Sequence, residues 1–166
     1  LRHPVMRWLL VLLLLAPGLA FEAQEVQLAF TNPAGWEQRP AAKEGGLVLF
    51  VAPKTPAVRS TLEVSVTEMG QVEELRRQDA LGVVRHLAGK LENFDLLGSK
   101  ETKVAGMKAQ RITYKARSGK TILQTTQVFL VRSGRLYLFT LTTSPEQHAG
   151  HSKVLNRVLE SVRWLS

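Results

Sequence analysis

Apolar and polar residues alternate with a period of two along much of this chain and switch to a helical period in two places. At residues 61–67, Leu62, Val64 and Val66 alternate with Glu63, Ser65 and Thr67, which predicts a strand with one buried and one wetter face. Residues 26–30 and 47–52 read as two earlier strands. Asn32-Pro33-Ala34-Gly35, followed by Trp36, predicts a turn after the first, and the turn-rich segment 53–60 separates the next two. From residue 71 to about 92, Val72, Leu75, Val84, Leu87, Ala88 and Leu91 fall near one stripe at helical spacing, which predicts a long helix after the third strand. Arg76, Arg77, Arg85 and Lys90 then belong to its solvated side. Gly82 and Gly89 share similar faces of it. Each costs up to about 1 kcal/mol against alanine in a helix interior, so a close approach of the helix backbone to a sheet would account for them.

The second half is more regular. Residues 94–103 predict a strand or extended connection ending at Val104-Ala105-Gly106. Residues 108–117, 120–131 and 135–143 are rich in Ile, Val, Thr, Tyr and Phe and are joined at Ser118-Gly119 and Ser133-Gly134, the pattern of an antiparallel three-strand meander. Ser144-Pro145-Glu146-Gln147 predicts a helix start, with Ser as N-cap, Pro at the first helical position and Gln completing a capping box. Val154, Leu155, Val158, Leu159 and Val162 would be its buried stripe, and residues 161–164 close the domain. No internal repeat or long linker interrupts this pattern, so residues 25–166 are expected to form a single domain.

The N-terminal segment belongs to neither period. Arg2 and Arg7 flank a short basic region, residues 8–16 are apolar, and Gly18-Leu19-Ala20 ends the run with small residues. This is the layout of a secretory signal peptide over residues 1–20, cleaved after Ala20 or, as the alternative, after Ala23. Met6 is an alternative start to Leu1. The apolar run to Phe21 is interrupted by Pro17-Gly18 and falls short of the roughly 20 residues of a spanning helix, so no stable membrane anchor is expected. There is no cysteine, hence neither a disulfide framework nor a site for lipid attachment. The expected destination is periplasmic or extracellular.

Charge narrows the partners. The chain has 22 basic and 14 acidic residues. Without Arg2 and Arg7 the balance is 20 to 14, a net +6, which favours an acidic protein or an anionic envelope component. The basic residues are scattered and the protein is expected outside the cytoplasm, so no nucleic-acid partner is expected. Arg111, Thr113, Lys115 and Arg117 project from one face of a predicted strand, with Lys120 across the turn. They form either a cationic stripe for an anionic partner or a solvated face, the latter including an edge guarded by charge.

The remaining chemistry is sparse. Gly119-Lys120-Thr121 has the ending of a phosphate-binding loop, but the earlier glycine is missing and strands flank it on both sides, so it reads as a hairpin turn. His148 and His151, three residues apart on the last predicted helix with Glu146 nearby, could present imidazoles to one metal ion; otherwise they are a surface residue and a boundary residue. The two aspartates, Asp79 and Asp95, lie apart, and His86 has no carboxylate orienter near it in sequence. No nucleophile elbow occurs. The chain is therefore read as a non-enzyme with no required cofactor.

Pro33-Ala34-Gly35-Trp36, residues 104–114, Gln127-Val128-Phe129-Leu130-Val131, residues 134–140 and the capped helix ending at Ser161-Val162-Arg163 occur in an order that resembles the PsbP-like superfamily, including its exported bacterial members of the DcrB-like type. The resemblance implies an α+β fold: an α/β/α sandwich whose central, mainly antiparallel sheet packs against the long helix and the C-terminal helix. It also implies a binding or assembly role toward a protein or envelope partner. A small metal- or ligand-binding carrier using His148 and His151 is the alternative, and a hydrolase assembled from distant residues the second alternative. Many bacterial relatives of this type are lipoproteins, a form that the absence of cysteine argues against.

Overall fold

In the computed structural model, which describes residues 19–41, 43–54 and 58–166, the alternating segments form two antiparallel sheets. In chain order the elements are β1 (Ala20–Ala23), β2 (Leu28–Thr31), β3 (Glu37–Arg39), β4 (Gly46–Val51), β5 (Thr61–Glu68), α1 (Arg77–Ala88), β6 (Glu92–Val104), β7 (Met107–Ser118), β8 (Thr121–Arg132), β9 (Arg135–Thr143), α2 (His148–Glu160) and β10 (Arg163–Trp164). The larger sheet has the order β3-β4-β5-β9-β8-β7-β6, and the smaller one β1-β2-β10. The expected meander is β7-β8-β9, and a tight turn at Ala105-Gly106, both with positive φ, adds β6 to it.

Period-two alternation sorts side chains to the two faces of the larger sheet. On β8, Val128 and Leu130 join one buried cluster while Phe129 between them joins the other. The first cluster is covered by the small sheet and α2, through Leu28, Phe30, Leu155 and Val158. The second is covered by α1, through Ala80 and Val84 against Ile112, Tyr114 and Phe129. Full burial of a side chain of this size stabilises by about 1.5–3 kcal/mol relative to exposure. Tyr137 ties the two sheets together: it is fully buried, its hydroxyl donates to the Val26 carbonyl at 2.7 Å, and its ring meets Trp164 edge-on at 5.0 Å. The expected α+β layering holds, with the small sheet sharing a layer with α2.

Several boundaries differ from expectation. The predicted 71–92 helix is formed only over α1, and Val72 and Leu91 are exposed. The Asp79 carboxylate accepts the Arg76 backbone N–H at 3.0 Å and starts the helix there, while Gly89 ends it. Gly82 makes no close approach, since a Cβ placed on it would meet nothing within 4 Å. Helix α2 begins at His148 because residues 145–147 form a tight turn; Ser144 Oγ donates to the Gln147 side chain at 3.2 Å and caps no helical amide. Strands β1 and β3 are additions to the expected set, and β1 places residues 20–23 within the folded unit, upstream of the expected start at 25. Of the expected signal segment, residues 1–18 lie outside the described residues. Among the described residues, no helix is long and apolar enough to cross a membrane.

Candidate functional site

The stripe on β7 falls on the sheet face that carries α2, and its neighbours divide it. Because β6 pairs with β7, this stripe is one strand in from the sheet edge, which corrects the reading of it as an edge strand. Lys115 stands opposite Asp95 and Arg117 opposite Glu92, so these cations have acidic residues across the strand, although among the described residues neither pair comes within ion-pair distance. Arg111 instead stands opposite Lys100. Like charges directly opposite on adjacent strands destabilise the pair. Lys120 is exposed in the β7–β8 turn, away from this point.

Helix α2 positions the arginine: Arg111 Nη1 donates to Asn156 Oδ1 at 2.7 Å. Among the described residues, neither Lys100 nor Arg111 has a carboxylate within ion-pair distance. Burial lowers the pKa of the half-buried Arg111 below the usual arginine value, as expected for a cation withdrawn from water without counter-charge. A concavity of about 360 Å³ lies on one side of Lys100 and Arg111, bordered by Thr102, Lys103 and Asn156, with Glu160 its one acidic lining residue. A second, of about 390 Å³, lies on the other side, bordered by Leu97, Gly98 and His148. Together they make an open groove between β6 and α2 whose middle is cationic. A guanidinium with unused N–H groups beside an ammonium suits a carboxylate or phosphate oxygen.

The two histidines of α2 have separate partners. His148 Nε2 lies 3.0 Å from Thr126 Oγ1, which in turn lies 2.8 Å from Thr113 Oγ1. Its Nδ1 lies 3.2 Å from Thr143 Oγ1. Burial, then the nearby charge of Arg111, lowers the His148 pKa. His151 Nδ1 lies 2.6 Å from Ser60 Oγ, and its ring meets Trp36 edge-on at 5.1 Å. The structure therefore spreads these imidazoles over two hydrogen-bond networks, and among the described residues no group of three or more His, Cys, Asp or Glu side chains is placed to hold a metal. The Ser60–His151 contact resembles a nucleophile beside a base, but Ser60 is only 1% exposed and its other side-chain partner is the neutral Gln147. That geometry fastens the segment before β5 to α2 and leaves no room for a substrate at the hydroxyl.

Sequence reasoning found Arg111 and His148 but missed Lys100, Lys103 and Asn156. The tight turn at Ala105-Gly106 was the available signal for Lys100, since counting back from it places residue 100 opposite 111. Asn156 had no sequence signal, because it reaches Arg111 through tertiary packing alone.

No protein with a curated description matches the chain in sequence. Among solved structures, CyanoP from Synechocystis superposes with a TM-score of 0.70 at 16% identity, over 90% of this chain and 94% of that one. LpqN from Mycobacterium tuberculosis, described as involved in cell envelope biogenesis, superposes with a TM-score of 0.65 at 14% identity, over 91% of this chain and 87% of that one. At such identities the likeness concerns the fold. In sequence, the model of the PsbP-like protein family matches residues 21–162, from the middle of β1 through the end of the α2 segment, so the chain belongs to the PsbP-like family.

Proposed function

We propose that this protein is a non-catalytic, exported binding module that holds an acidic group of a protein or envelope partner at Lys100 and Arg111. The observation that carries the reading is the unneutralised cross-strand pair of cations at the centre of an open groove. Family membership and the shared fold support a binding role, and the leader-like N-terminus supports export. The buried Ser60 hydroxyl and the separate networks of His148 and His151 give the hydrolase and metal-carrier readings less support.

The test is affinity capture from the native envelope with tagged protein, run beside Lys100→Glu and Arg111→Gln variants whose folding is checked by circular dichroism. One stoichiometric partner retained by the wild type and lost by both variants is the expected result. A partner retained equally by both variants would place the binding surface elsewhere.

A further inference from the structure

We infer that the occupant of this groove is an extended acidic polypeptide segment that adds to β6 as an outer strand and brings its carboxylates to Lys100 and Arg111; this rests on the anion-binding reading of the site. Strand β6 ends the seven-stranded order, with β7 as its one sheet neighbour among the described residues. Its outward N–H and C=O groups are therefore open to a further strand. The register with β7 is interrupted between Glu92 and Asp95 and between Leu96 and Gly98, but runs without a shift from Gly98 to Val104. That regular stretch offers about 23 Å of backbone edge.

The groove follows the same stretch. One concavity touches Leu97, Gly98 and Ser99, the other Thr102, Lys103 and Ala105, and both share Lys100 and Arg111. An elongated site beside a strand edge fits an extended chain better than a compact ligand. Leu96 and Leu97, 45% and 44% exposed, offer apolar contact at one end.

Charge selects the occupant. Lys100 and Arg111 favour a strand with acidic residues at alternate positions, since these share one face, while Lys103 and Glu101 project from the opposite face of β6. A second copy of this chain would bring the same cations and an expected net charge of +6 to the contact, and lysines on an edge strand oppose such self-pairing.

The experiment titrates the ¹⁵N-labelled protein with four probes: a capped peptide alternating glutamate and valine, a peptide alternating lysine and valine, inorganic phosphate, and phosphatidylglycerol vesicles. The glutamate peptide is expected to shift the resonances of Lys100 and Arg111 and to slow hydrogen exchange of outward amides between residues 98 and 104. Lys100→Glu is expected to weaken that binding about tenfold. Phosphate is expected to shift the two cations without protecting β6. If the glutamate peptide shifts the cations but leaves β6 exchange unchanged, strand addition is overturned and the anion site stands. If no probe perturbs Lys100 or Arg111, both readings fall. Equal binding of the lysine peptide, binding of vesicles alone, or β6 protection caused by dimerisation without peptide would each overturn the acidic-peptide assignment.

Discussion

Lys100 and Arg111 occupy paired positions on adjacent strands, and the Asn156 side chain holds the arginine at 2.7 Å from the helix above. A fold gains nothing from opposing two cations, so the pair costs stability unless something anionic joins it. Lys100→Glu should therefore raise the stability of the free protein by about 0.2–1 kcal/mol while removing affinity for anionic partners. Thermal melts paired with a polyglutamate binding assay check both halves; a variant that is less stable and still binds would contradict the assignment.

His148 supplies a pH dependence. Its pKa is lowered from the ordinary 6.5, first by burial and then by Arg111. The unfolded chain therefore takes up a proton on this residue at a higher pH than the native one does, and stability is lost as pH falls from about 6.5 toward the lowered value. His148→Gln should flatten that part of the profile. The check is the difference between wild-type and variant Tm across pH 7 to 5, which should narrow at the acidic end.

Two glycines should respond to alanine with opposite signs. Gly134 has φ +71°, and a Cβ there would lie 2.4 Å from the Gly70 carbonyl oxygen, a backbone atom. Gly134→Ala should cost about 1–3 kcal/mol through strain at the β8–β9 turn. Gly82 lies inside α1 with open space around it, so Gly82→Ala should stabilise by about 0.5–1 kcal/mol. Urea titrations of both variants test the contrast, and a destabilising Gly82→Ala would show that α1 sits closer to a neighbour than the structure places it.

The first strand bears on processing. Phe21 stacks on Phe30 at 5.0 Å between centroids, and Ala23 is buried. Cleavage after Ala20 keeps both residues, whereas cleavage after Ala23 removes β1 and uncovers β2. On the proposed export reading, intact mass of the mature protein should show Phe21 as its first residue. Phe21→Ala should cost on the order of 1–3 kcal/mol, combining lost burial with the aromatic pair. A mature chain beginning at Gln24 would refute the first expectation.

The meander, β5 and the stripe of α2 were legible in the sequence because each rests on local periodicity and on turn residues able to adopt positive φ, such as Gly134. Helix α1 was overextended because Val72 and Leu91 match its period yet find no surface to cover, and period alone does not report a partner. Strands β1 and β3 escaped notice because they are short and owe their existence to β2 and β4 beside them.

The same division runs through the site. The sequence by itself determined that Arg111, Thr113, Lys115 and Arg117 share a face, since side-chain direction alternates along any strand. The tertiary structure decided which of them has a like charge opposite it. Two register shifts in β6 bring Asp95 opposite Lys115 and Glu92 opposite Arg117, positions that an unshifted strand would fill with Leu96 and Phe94. Between those shifts and the Ala105-Gly106 turn the register leaves Lys100 facing Arg111, and the packing of α2 adds Asn156 and the groove wall. Alternation is a property of the local backbone. Charge compensation is a property of which strand lies alongside, in which register, and only the folded sheet sets that.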